Sequence, residues 1–326
     1  MPLATHTWQA YNFWGGASAY VGGASRSPDL RLRQLSANRP YRGDHLAMFG
    51  DGQFLLRDYP AVWALEKWGF PVTYTTDDYL DVNHDELAGK SLIVFGGHSE
   101  YMTPATFHAI QQSVDAGTNV LNLGANAAYW RIRNEPDRIM TIYKSAVEDV
   151  TAPSEEETTV QFREQPAAMP EATLWGAMYD CPRVAHAAAV VTNASLFPWA
   201  GLAGITDGTE LTGVVDGEAD HVFPGVSPAS TDVLAHADFA CPGRSYVPKT
   251  WDLVYHADPG KGGVFSAGTF GWVCALSYSC DPFTEPLTTQ RILGVVTQHF
   301  IAAALRGPLG DSHPSTGTIS QSSPAS

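Results

Sequence analysis

Along Tyr59–Trp68 the apolar residues recur at intervals of three and four, the spacing of a helix with one buried face, and Gly69 follows as its stop. Residues 71–75 then read as a short strand, Asp77 to Leu80 as a turn into a short helix near His84, and residues 90–95 as a buried strand. Thr103-Pro104 has the capping hydroxyl and the first-turn proline of a helix start. Phe107, Ile110 and Val114 share one face of that helix, Gly117 ends it, and residues 119–123 form the next strand. Strand, helix and strand joined this tightly describe a right-handed βαβ unit. The pattern therefore predicts an α/β fold with a mainly parallel sheet and helices on both faces. In such sheets the binding crevice lies outside the carboxyl ends of the strands.

Residues 151–250 break the pattern: they are rich in Pro and Gly, carry the acidic run Glu155-Glu156-Glu157, and are expected to form a long insertion or lid. Order returns at residues 251–307, with a strand at 251–255, a glycine-bounded strand within 262–268, and a last helix over 288–305 placing Ile292, Val295, Val296 and Phe300 on one face. Residues 1–150 are then the first part of a catalytic domain, 251–307 its return, and the Ser/Thr/Pro/Gly-rich 308–326 a disordered tail.

Composition narrows the function classes. With 19 basic against 34 acidic residues the net charge is -15, which repels a phosphate backbone, so nucleic acid is not an expected partner. No apolar run reaches the roughly 20 residues of a membrane span, and the first twenty residues lack the pattern of a secretory signal. Cys181, Cys241, Cys274 and Cys280 show no CxxC pair and fit reduced thiols in a cytoplasmic protein better than a disulfide frame or a zinc site.

The polar residues of interest follow two strands. FGGHSEY, residues 95–101, sets His98 and Glu100 two apart, so that in an extended chain both point to one side, as sharing a cation requires. Alone the pair reads equally as a hydrogen-bonded turn, and a third ligand must come from elsewhere. The N-terminal stretch TWQAYNFWGGASAY offers Tyr11 and Tyr20. Each tyrosine taken singly is an ordinary core residue. As phenolates, with an unperturbed pKa near 10, they suit only a strongly acidic metal such as ferric iron.

TWQAYNFWGGASAY, the NRPY at 38–41, LEKWGFPVTYTTD, GGHSEY, NLGANAAYWRIR and GGVFSAGTFGW, in that order over about residues 5–305, resemble the catalytic half of the N,N-dimethylformamidase large subunit. The resemblance implies a flavodoxin-like, class I glutamine amidotransferase-like fold and a mononuclear Fe(III) held by Tyr20 (Tyr11 as the second choice), His98 and Glu100. It places an active-site Asn at Asn126, in the turn where amidotransferases keep a nucleophilic Cys. Without a Ser or Cys there, acyl-enzyme chemistry is closed and water must be activated by the metal. Asn126 would then serve the developing oxyanion or the water, and Glu100 or His256 would pass a proton to the leaving amine. Tyr255-His256-Ala257 stands where the relatives are expected to carry a carboxylate. The extra β-rich domain and the small subunit of the relatives are not expected of this chain. The implied reaction is hydrolysis of the C–N bond of a small amide, formamide or lactam. A non-haem iron lyase or oxidoreductase and a binding module without catalysis are the other readings. The implied partners are a small-molecule amide and, where the protein assembles, a homo-oligomer.

Overall fold

The computed structural model describes residues 1–43, 48–242, 247–277 and 286–321. The elements around the two strand-end motifs follow the sequence pattern closely. Helix α1 (Thr5–Tyr11) opens the chain, and α2 (Tyr59–Trp68) ends at Gly69, which takes the left-handed φ of 72° that closes a helix. Strand β1 (Leu92–Phe95), helix α3 (Pro104–Asp115) and strand β2 (Asn119–Asn122) form the expected βαβ unit with β1 and β2 parallel. The Thr103 hydroxyl caps α3 by accepting from Thr106 N–H at 3.1 Å, and Phe107 and Ile110 are buried, each side chain contributing about 2 kcal/mol.

The sheet as a whole is not the parallel, flavodoxin-like one that the pattern and the resemblance predict. Its seven strands add β3 (Met178–Val191), β4 (Glu210–His221), β5 (Asp232–Cys241), β6 (Val247–His256) and β7 (Val264–Ser266) to β1 and β2. They lie in the order β4-β3-β5-β6-β7-β2-β1. Only β7, β2 and β1 run parallel; the β4–β3, β3–β5, β5–β6 and β6–β7 pairs are antiparallel. The expected lid, residues 151–250, therefore supplies β3, β4 and β5, and the glutamine amidotransferase-like expectation is corrected along with it. Bulges hid these strands: the β3–β4 register shifts at four places, and each shift breaks the alternation by which a strand is recognised.

The sheet also curls into a half-barrel. In a flat sheet with strands roughly 4.8 Å apart, β4 and β1 at opposite edges would stand about 29 Å from each other. Instead, Ala219 on β4 bridges Thr269, just beyond β7, and Asp216 N–H on β4 donates to the Thr269 hydroxyl at 2.9 Å. The curl carries β4 round to the loops that follow β1 and β2.

Other expectations need correction. Cys181 on β3 and Cys241 on β5 form a disulfide, so these cysteines are not the reduced thiols expected; adjacent strands bring together residues 60 apart in the sequence. Cys274 is disulfide-bonded too, and Cys280 lies outside the described residues. On the long C-terminal helix, α4 (Leu287–Ala304), the buried stripe is Leu293, Val296, Phe300 and Ile301, while Val295 is 48% exposed. Beyond it the chain stays on the sheet: Thr316 and Thr318 N–H groups donate to Asp232 at 3.0 and 3.1 Å. Residues 322–326 of the expected tail are outside the described residues. Among the described residues no helix is long and apolar enough to cross a membrane.

Candidate functional site

Three glycines allow the chain to fold tightly behind the site. A Cβ on Gly96 would collide with the Asp58 carboxyl, one on Gly97 with the Arg57 backbone, and one on Gly124 with the Gly97 carbonyl. Gly97 N–H donates to Arg57 O at 2.8 Å, tying the turn after β1 to a π-helical turn, Phe54–Asp58, that leads into α2. Single π-turns of this kind recur at functional sites because they re-aim side chains that a regular helix would point elsewhere.

One residue that this turn places is Gln53, which is fully buried. Its amide NH₂ donates to Met48 O at 3.1 Å, so its oxygen faces His98 Nδ1, also at 3.1 Å. An oxygen acceptor there assigns the proton to Nδ1 and leaves Nε2 as a lone pair. Burial lowers the His98 pKa and favours the neutral ring. That lone pair faces Glu100 Oε2 at 3.3 Å and Glu218 Oε2 at 3.8 Å. None of these three atoms has a hydrogen-bond partner among the described residues.

Glu100 receives the Tyr20 hydroxyl at 2.5 Å on its other oxygen. Burial by itself would raise the Glu100 pKa, but His98, Lys144 and Tyr20 together outweigh it and keep the group ionised. The Tyr11 ring lies 4.5 Å from that of Tyr20 and 5.4 Å from His98, and its hydroxyl is within hydrogen-bonding reach of both Tyr20 and Glu100. Burial, and then the Glu100 charge, push both phenols well above 10, so without a cation both hold their protons.

On the far side stands β4, which carries Asp216, Glu218 and Asp220 at every second position. Burial, followed by the Glu100 and Asp220 charges, pushes Glu218 well above the usual carboxylate range and favours its protonated form. The neighbouring Asn126 side chain works against that rise. Asn126 sits in the left-handed region, φ 57°, and its backbone N–H points at both oxygens of Asp220, at 3.0 and 3.1 Å. A last contributor is Lys144, whose Nζ lies 3.5 Å from the Tyr20 ring centroid and donates to Tyr101 Oη at 2.8 Å; burial lowers its pKa to about 7.

The structure thus brings Tyr11, Tyr20, His98, Glu100 and Asn126 together, and adds Gln53, Lys144, Glu218 and Asp220, which sequence reasoning missed. His256 is not part of the group. It pairs with Val264 at the opening of β7, away from the carboxyl ends, and its Nε2 bonds Leu174 O at 2.9 Å. The signal available for the missed carboxylates was the D-x-E-x-D alternation of DGEAD, which reads as a loop because of its glycine.

A lone pair of His98 facing an ionised carboxylate without a proton between them is unfavourable in a buried place, and a cation removes the conflict. Among the described residues no set of three His, Cys, Asp or Glu side chains converges as a metal site. The set becomes three-membered with the phenol of Tyr20, and its oxygen-rich donors fit a hard, acidic ion.

A family model described as N,N-dimethylformamidase beta subunit-like, C-terminal, matches residues 1–284. The chain belongs to that family. No curated protein matches it. Membership groups the chain with dimethylformamidase-like amidohydrolases, and the match spans every residue of the site, from Tyr11 to Glu218.

Proposed function

We propose that the protein is an iron-dependent amidohydrolase that cleaves the C–N bond of a small amide, formamide or lactam. The observation that carries this reading is the convergence of three unpartnered buried atoms, His98 Nε2, Glu100 Oε2 and Glu218 Oε2, beside the Tyr20 phenol. Tyr20, His98 and Glu100 would hold the ion, with Tyr11 next to them as a fourth donor. A ferric ion bound there would supply Lewis acidity towards water and the amide carbonyl.

The chain's own residues account for the rest. Gln53 fixes His98 in the tautomer that presents Nε2. Asn126, whose Oδ1 has no partner among the described residues, would orient the water or serve the developing oxyanion. Glu218 would enter in the protonated form that its burial favours. As water adds to the carbonyl and the C–N bond breaks, the nitrogen takes the Glu218 proton and leaves as the amine, and the proton lost by the water restores Glu218. Glu218 thus takes the donor role that the sequence had assigned to Glu100 or His256.

Purified protein from iron-replete cells is expected to contain about one iron per chain and to absorb visible light through tyrosinate charge transfer. Tyr20→Phe should abolish the band. A colourless, iron-free protein, or a band lost only in Tyr11→Phe, would overturn the ligand set. Amine release from a panel of small amides, run with and without oxygen, separates hydrolysis from oxidative cleavage: oxygen-dependent release, or none from any amide, counts against the hydrolase. The description beta subunit-like supports assembly with further subunits or copies, which sedimentation of the purified protein tests.

A further inference from the structure

The turn that carries Asn126 is expensive to hold. Asn126 and Ala128 both adopt left-handed φ values, 57° and 56°, each costing about 1 kcal/mol or more for a residue other than glycine. Part of the restraint is local, from Ala128 N–H to Ser99 O at 2.8 Å and Leu123 N–H to Phe95 O at 3.2 Å. Among the described residues the Asn126 N–H has no backbone acceptor; it is held by Asp220, at 3.0 Å to one carboxyl oxygen and 3.1 Å to the other. Asp220 is 3% exposed, and its own N–H donates to Gly268 O at 2.9 Å. Gly268 has a φ of 63°, and a Cβ there would press on Asp220 Cβ. The carboxyl is therefore anchored at its root and directed at one backbone hydrogen.

The geometry points to Asp220 as the positioning residue of the catalytic turn: by gripping the Asn126 N–H across the curl of the sheet, it holds the Asn126 side chain against Glu218. In this role Asp220 acts through Asn126. The inference rests on the amidase reading for its effect on rate and on geometry alone for its effect on the turn.

The test compares Asp220→Ala and Asp220→Asn in the full-length, iron-containing protein. Asp220→Leu, which fills the space without an acceptor, takes the place of the alanine variant if that one unfolds. Hydrogen exchange by mass spectrometry on peptides covering residues 123–130 should quicken about 100-fold without the acceptor, with other peptides unchanged. Asparagine, which keeps one oxygen, should restore protection to within about 10-fold. For the amide turned over fastest, kcat should fall about 100-fold with KM and iron content held, the scale of a small misplacement of a catalytic group. Unchanged exchange, failure of asparagine to restore it, or loss of iron in step with rate would overturn the assignment. If the wild-type protein releases no amine, the amidase reading fails on its own, and the exchange comparison still decides the role of Asp220.

Discussion

At the scale of single residues the site depends on where protons sit. Gln53 decides this for His98, because its only free polar atom towards the ring is an acceptor. Replacing it with Leu removes the acceptor and lets the ring turn or change tautomer, so iron affinity should fall about 10- to 100-fold in a titration of metal-free protein. Equal affinity in the two proteins would show that the tautomer is fixed by something else. Glu218 offers the converse case. Gln mimics the protonated acid in shape but cannot give up a proton. Glu218→Gln should therefore keep its iron and colour and lose about 10² to 10⁴ in kcat. Loss of colour with the rate would instead make Glu218 a ligand. His98, Glu100 and Asn126 could be read from the sequence as neighbours because their motifs follow parallel strands, whereas Tyr20 closes the WGGxSxY stretch near the N-terminus and was singled out by motif alone. Gln53, Lys144, Glu218 and Asp220 were not, since each owes its place to packing across long sequence distances.

At the scale of elements, helices and short parallel strands announced themselves and the long antiparallel ones did not. The three-and-four spacing of Tyr59–Trp68 survives intact in α2, whereas β3 alternates poorly, because bulges repeatedly change which residue faces the core. The junction of the π-turn with α2 carries its own test. Asp58 is fully buried there, accepts from Ala4 N–H at 3.2 Å and Trp8 Nε1–H at 2.9 Å, and has its pKa raised by burial from 3.8 to about 7. A carboxyl whose folded pKa exceeds its unfolded one binds more protons when folded, so stability falls as pH rises between about 4 and about 7. The three-unit shift bounds this loss at roughly 4 kcal/mol. Asp58→Asn preserves the shape and cannot ionise. Urea unfolding should then show the wild-type protein losing stability relative to the variant between pH 4.5 and pH 7.5, and parallel behaviour of the two would reject the buried-carboxyl account.

At the scale of the whole molecule, the site exists because a seven-stranded sheet curls until β4, at one edge, reaches the loops that follow β1 and β2. Tyr20, His98, Glu100 and Asn126 come from the part of the chain around the parallel strands, and Glu218 and Asp220 from β4 at the other edge. The Cys181–Cys241 disulfide closes a loop of 60 residues that contains all of β4. By the chain-entropy argument a loop of that length contributes about 4 kcal/mol, largely by restricting the unfolded chain. The double change Cys181→Ser with Cys241→Ser should lower the unfolding free energy by an amount of that order. It should also act unevenly on the site. The proposed iron ligands lie outside the bridged segment, while the proton donor and the residue that grips Asn126 lie inside it. With rising urea, turnover should therefore fail at a lower concentration than the charge-transfer band in the double variant, as β4 opens before the ligand cluster does. In the disulfide-intact protein the two should fail closer together. Simultaneous loss of turnover and colour in both proteins, or an unfolding midpoint unchanged by the double substitution, would show that the disulfide does not secure this edge of the sheet.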